Sequence, residues 1–267
     1  KRGDSLDQII YMLLGPLRHR FTALERAKEQ GIGHYFVPRY TRVVDTAESK
    51  DNINKAYNLI STSKVRNEMI IDDVITCVAR KQTPVILTRF KEHAKFLHDA
   101  LKEKADHVFL LYGDNSDKEN AEIRVKLKQI PENESLILVA TGQKIGEGFD
   151  FPRLDVLMLA APVSFEGRLE QYVGRLNRDY VGKEAVYVYD YIDSHVRYFD
   201  KMYAKRLRTY RKMGFSIWTQ ELQPKQIINA IFDSVNYTEK FEQDIVESEK
   251  MVVISSPDIR QDKIDRF

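Results

Sequence analysis

Apolar residues in the middle of this chain come in short unbroken runs, separated by stretches where they recur at every third or fourth position. Pro84-Val85-Ile86-Leu87-Thr88 is one run, followed by Val108 to Gly113, Leu136 to Ala140, Val156 to Ala160 and Ala185 to Tyr189. Runs of this length without alternation predict strands buried on both faces. Between them, Ala94, Leu97, His98 and Leu101 share one face of a predicted helix. Lys118 to Gln129 is charged and helical in pattern, and Glu166 to Arg178 reads as a further helix. Strands alternating with amphipathic helices predict an α/β domain over residues 83–193, a parallel sheet with helices on both faces.

The flanks read differently. Residues 49–81 predict helix, with Ile53, Tyr57 and Ile60 and then Ile70, Val74 and Val78 at helical spacing. Ahead of them, Ile9 to Leu14 and Tyr35 to Val37 are short apolar runs read as strands or strand ends, punctuated by Pro16, Gly31, Gly33 and Pro38. Residues 194–213 predict a helix whose stripe of Val196, Phe199, Tyr203, Leu207 and Tyr210 is expected to pack into the core. Arg197, Lys201, Lys205, Arg206, Arg208, Arg211 and Lys212 decorate it, against the single acid Asp200. That basic face suits nucleic acid or plain solvation.

Composition narrows the classes. With 43% hydrophobic and 31% charged residues, the 267-residue chain is that of a globular protein with a sizeable core. Lys plus Arg number 42 against 40 for Asp plus Glu, a formal charge of +2, so any case for nucleic acid must be local. The one cysteine, Cys77, excludes an internal disulfide framework and a multi-cysteine zinc site, and its apolar surroundings predict a buried, inert thiol. No metal ligands are assigned. No apolar stretch is long enough for a membrane span and the start Lys1-Arg2-Gly3-Asp4 carries no signal peptide, which predicts a cytoplasmic location. Lacking an initiator Met, the sequence also reads as a piece of a longer polypeptide.

Candidate chemistry falls in two places, both expected at the C-terminal ends of strands, where open α/β sheets hold ligands. In Ala140 to Pro152 a buried strand enters a glycine-rich loop bearing Thr141, Lys144, Glu147 and Asp150. Thr141 can offer hydroxyl and amide to a phosphate, and Asp150 can accept from ribose hydroxyls. Taken alone, the same stretch is equally a plain strand-to-helix turn. In Gln171-Tyr172-Val173-Gly174-Arg175-Leu176-Asn177-Arg178, helical spacing puts Gln171, Arg175 and Arg178 on one face. Two adjacent guanidiniums suit a polyanion; the plainer reading is a solvated face paired with Glu170 or Asp179.

In order and spacing, these segments resemble the C-terminal, RecA-like lobe of superfamily 2 helicases. The nearest branch looks like the type I and type III restriction motors, excision-repair helicases and phage or mobile-element helicases. Val85 to Leu101 is similar to helicase motif IV, Ala140 to Pro152 to motif V and Gln171 to Arg178 to motif VI. The resemblance implies that Thr141, Arg89 and Lys144 contact the nucleic-acid backbone, that Gly148 and Asp150 meet the nucleotide's sugar, and that Gln171 faces its triphosphate. Arg175 and Arg178 would be arginine fingers, the catalytic cations. Gly146 departs from the arginine that many relatives carry there.

On that reading residues 1–48 end the first motor lobe and cross to the second, 49–193 form the second lobe, and 194–267 are a basic helical extension. Phe241 to Pro257, a helix running into a strand, looks like the opening of a phospholipase-D-like nuclease domain, although no H-x-K pair follows. The sequence contains neither a G-x-x-x-x-G-K-[ST] loop nor a D-E-x-[DH] acid pair, and Asp72-Asp73 reads as a helix-face pair. ATP with Mg2+ would therefore be held mainly by a first lobe outside this stretch, and the lobe alone would not hydrolyse it. Expected partners are DNA or RNA, that first lobe and a fused nuclease domain, with no membrane. Two other classes stay open: a sugar-nucleotide-binding domain of a glycosyltransferase, and a non-catalytic nucleic-acid-binding module.

Overall fold

A computed structural model describes residues 31–113, 117–142, 150–163, 166–178 and 180–218, with Met12, Leu13 and Gly15. Strand β1 spans Gly33–Tyr40, and helices α1 (Ala47–Asp51), α2 (Ile53–Thr62) and α3 (Lys64–Ala79) follow. Then come β2 (Pro84–Thr88), α4 (Lys91–Leu101), β3 (His107–Leu111), α5 (Asp117–Gln129), β4 (Leu136–Thr141) and β5 (Val156–Leu159). Helix α6 (Glu166–Leu176), β6 (Ala185–Ile192), α7 (Arg197–Lys212) and β7 (Ser216–Ile217) complete the series. The chain divides into two units, 1–229 and 230–267, and the second lies outside the described residues, as does the expected helix and strand of 241–257.

The strands form one seven-stranded sheet in the order β3-β4-β2-β5-β6-β1-β7, and every described pairing is parallel. The five runs predicted between residues 84 and 189 are strands and Tyr35 to Val37 lies within β1, whereas Met12 and Leu13, the described residues of the run Ile9 to Leu14, are helical rather than extended. The sheet also extends beyond residues 83–193, because β1 pairs with β6 from Gly33↔Ala185 to Tyr40↔Ile192 and β7 pairs with β1. The three helices of 47–79 are separated by capping residues that the hydrophobic period does not reveal. Asn52 accepts from the Asn54 and Lys55 amides to start α2, and Thr46 forms a capping box with Ser49.

Successive strand residues face opposite sides, and the two sides are covered by different helices. Ile86, Ile137, Val139, Val156 and Met158 pack with Ile70, Val74 and Cys77 of α3 and Ala94, Leu97 and Leu101 of α4. On the other face, Phe36 stacks on Tyr210 of α7 at 4.6 Å between ring centroids, and α6 lies against α7. Leu136, Leu138, Ala140, Leu157 and Leu159 are fully buried or nearly so. Both faces are thus dry, which is why the strands read as continuous apolar runs. No helix among the described residues is long and apolar enough to cross a membrane.

Candidate functional site

The edge where the strands end carries Thr41, Thr88, Thr141, Ala160 and Asp193, one after each of five neighbouring strands or at its last position. Two buried polar networks hold it. Arg66, from α3, donates from Nε to Asp193 Oδ1 at 2.9 Å, from Nη2 to Oδ2 at 3.1 Å and from Nη1 to the Ala160 carbonyl at 2.8 Å. The Thr41 hydroxyl also donates to Asp193, at 2.6 Å. Beside this, His93 lies 2.6 Å from the Thr88 hydroxyl and 2.9 Å from Asn67 Oδ1, while the Asn67 amide nitrogen donates to the Ser61 carbonyl. Since that last bond orients the amide, His93 carries its proton on Nε2 and accepts from Thr88 on Nδ1. Burial, with the Arg66 charge beside it, pushes the His93 pKa down to about 3.

On this platform Arg89 lies over the Tyr57 ring at 4.4 Å and donates to Asn54 Oδ1 at 3.4 Å, and the Tyr57 hydroxyl donates to the Pro162 carbonyl. Thr141 ends β4 opposite Thr88 of β2 and is buried. Arg89 and Thr141 are therefore at one edge. Gly142 follows, and a Cβ there would stand 2.5 Å from the Tyr172 hydroxyl oxygen, which donates to the Gly142 carbonyl at 3.1 Å. Lys144 and Gly148 lie outside the described residues.

Asp150 and Arg178 are at the opposite edge, where β5 and β6 begin. Of the two motifs expected at strand C-terminal ends, the first begins there with Thr141, but its Asp150 and the second motif's Arg178 do not, which corrects the expectation for both of those residues. A parallel crossover must return to the starting edge, so the chain that leaves β4 at Thr141 is back there by Asp150, and α6, running antiparallel to the strands, delivers its last turn there too. Residue positions confirm it: Arg153 donates to the carbonyls of Pro131, Glu132 and Glu134 just ahead of β4, and Asp155 accepts from the Thr83 amide just ahead of β2. Asn177 meets His34, near the start of β1, at 2.8 Å. Helix α6 stops at Leu176, so Arg178 lies beyond its end rather than on its face. Gln171 is exposed and Arg175 half-buried on α6, one turn apart. Arg178 Nε lies 3.4 Å from Asp150 Oδ1, with both side chains about half exposed.

Among the basic residues of α7, Arg206 is not part of an open patch. It is 2% exposed and forms a two-pronged pair with Asp190, at 2.7 and 2.9 Å, and Asp190 also accepts from Tyr210. Arg197, Lys201, Lys205, Arg208 and Lys212 remain exposed along the outer side. Phe199 and Tyr210 are core, as the stripe predicted. Asp73, on α3, is bonded to Arg39 and Tyr191, which gives it a structural role, while Asp72 is exposed. Cys77 is fully buried and burial pushes its thiol up to about 12.

With this geometry in hand, comparison with solved structures decides the fold. T4 UvsW superposes with a TM-score of 0.54 at 19% identity, over 71% of this chain and 41% of that one. The ATP-dependent Type ISP restriction-modification enzyme LlaBIII, solved bound to DNA, gives 0.54 at 15% identity over 90% of this chain and 18% of its own. The fold is that of a RecA-like helicase lobe. No protein-family model matches the chain. Transcript termination protein A18 of Yaba-like disease virus is 28% identical over 172 residues, 60% of this chain and 35% of that protein. Putative helicase 161L of Invertebrate iridescent virus 6 is 33% identical over 118 residues, 43% of this chain and 22% of the relative. The chain thus spans about a third or less of the length of these two relatives.

Within this RecA-like fold, three contributors escaped the sequence reading. Tyr172 ties α6 to Gly142, Arg66 anchors the strand-end platform, and Lys183 gathers carbonyls beneath Arg178. Tyr172 had a signal, since it adjoins Gln171 and faces away from the polar ridge. Arg66 had none: nothing in its local sequence distinguishes a buried arginine from a solvated one.

Proposed function

We propose that this chain supplies the second lobe of an ATP-dependent nucleic-acid helicase or translocase. Residues 49–193 are its body, and the segment ahead leads in from the first lobe and contributes β1. The observation that carries this reading is the state of Arg178. Its head group is half exposed and engaged with Asp150 at 3.4 Å, three positions after Arg175 in the chain. A screened pair of this kind contributes at most about 1 kcal/mol, so the guanidinium can turn to another anion at little cost.

The residues fit a shared nucleotide. Gln171, Arg175 and Arg178 offer donors to phosphate oxygens, and Asp150 offers an acceptor to ribose, while Mg2+ and the remaining phosphate contacts fall to the first lobe. ATP supplies the phosphoryl group transferred to water, with Mg2+ neutralising part of its charge. This chain's task is to bring Arg175 and Arg178 up when the lobes close. Nucleic acid would lie along the other edge, on Thr141 and Arg89, with Lys144 the third residue expected to touch it, and the DNA-bound LlaBIII neighbour is in keeping with that. Helix α6 connects the two edges, since Tyr172 in its middle holds the Gly142 carbonyl next to Thr141.

The test is ATP hydrolysis by the full-length polypeptide, with and without DNA or RNA. Hydrolysis stimulated by nucleic acid is expected, and Arg175→Ala and Arg178→Ala should each lower kcat by about 1,000-fold. The lobe alone should be inactive. A full-length protein that binds a sugar nucleotide and ignores ATP overturns the reading, as does one that binds nucleic acid without any nucleotide dependence.

A further inference from the structure

Lys183 occupies a place that neither motif predicts. Its Nζ donates to the carbonyls of Leu154 at 2.8 Å, Leu176 at 2.9 Å and Arg178 at 3.2 Å, and also to that of Pro152. An ammonium has three protons, so these four acceptors share them. Two acceptors belong to the segment that runs from Asp150 into β5, and two belong to the turn that carries Arg178 out of α6. Leu176 is the last residue of α6, and its carbonyl has no partner within the helix. The cation also suits the negative end of the helix. The turn that aims the lysine back is built for it: the Lys183 amide bonds to the Tyr180 carbonyl at 3.1 Å, and Gly182, at φ 79°, takes the left-handed conformation between them.

We propose that Lys183 is a positioning residue that sets the register between Asp150 and Arg178, and so the reach of the arginine finger. The proposal rests on the motor reading for its catalytic consequence, while its geometric content stands apart. Loss of the ammonium leaves four carbonyls without it and lets the two segments part. A displacement of about 1 Å at a catalytic cation costs on the order of 100-fold in rate. Arginine at the same position keeps the charge, but its planar fork cannot converge on acceptors arranged around a point.

In the full-length polypeptide, Lys183→Met is expected to lower the kcat of nucleic-acid-stimulated ATP hydrolysis by roughly 10- to 100-fold, with KM for ATP moving less and Lys183→Arg restoring part of the loss. In an Arg178→Ala background the same Lys183→Met change should alter kcat by no more than about 2-fold, since the route to the chemistry is already cut. Equal losses in both backgrounds mean general damage and overturn the proposal. Amide hydrogen exchange is the second arm, with Lys183→Met expected to speed exchange in 150–155 and 176–180 together while core strands stay protected. Unchanged exchange there overturns the proposal even if the wild-type protein hydrolyses no ATP, an outcome that by itself removes only the motor reading.

Discussion

Arg178 and Asp150 meet across 3.4 Å at the edge of the sheet where β5 and β6 begin, although 28 positions separate them in the chain. Both are open to solvent, so their mutual attraction is weak. Asp150→Ala is expected to change the free energy of unfolding by less than about 0.5 kcal/mol in urea titration, while raising KM for ATP in the full-length polypeptide. A loss of stability several times larger would assign the pair a structural task instead.

The buried pair at the other edge should behave oppositely. Arg66 and Asp193 are fully removed from water and bonded at 2.9 and 3.1 Å. Asp193→Ala leaves an uncompensated guanidinium and is expected to cost about 3–5 kcal/mol. Replacing both, as Arg66→Met with Asp193→Leu, should recover most of that loss. A double variant as unstable as the single one would contradict this.

His93 ties folding to acidity. Its pKa falls from 6.5 to about 3 on folding, so between those values the unfolded chain binds a proton that the native one refuses. Stability from this group is whole above the unfolded value and is lost as pH falls towards 3, at up to about 1.4 kcal/mol per pH unit. Melting curves from pH 7 to pH 4 should show that slope, and His93→Gln should flatten it. An unchanged slope in the variant would place the acid sensitivity elsewhere.

On α7, buried Arg206 and its exposed neighbours separate two effects. Lys201→Glu, Lys205→Glu and Arg208→Glu together should leave melting nearly unchanged while weakening nucleic-acid binding and reducing its salt dependence. Arg206→Glu should instead unfold the protein, because it sets a second acid against Asp190. Binding that survives the triple change would leave the exposed charges a purely solvating role.

How much of this could be read from the sequence depended on period. The runs at 84–88, 136–140 and 156–160 read directly as strands because both faces of the sheet are covered, so nothing breaks their hydrophobicity. Gly33–Tyr40 was harder, since GHYFVPRY mixes polar and aromatic residues and Pro38 usually argues against an interior strand. Helical spacing located Gln171 and Arg175 on one ridge, but not the end of the helix at Leu176, which the sequence left unmarked by glycine. Nor does spacing say at which end of a strand a motif emerges; that follows only from counting crossovers. Carbonyl acceptors such as those around Lys183 carry no sequence signature at all.

The strand Gly33–Tyr40 lies between β6 and β7, with its whole length hydrogen-bonded to β6. Any attempt to express this lobe from residue 49 onward would strip that neighbour away and lay bare a row of unpaired backbone groups along Ala185–Ile192. Such a raw border recruits other chains, and the shortened protein would precipitate or swap segments rather than stay monodisperse.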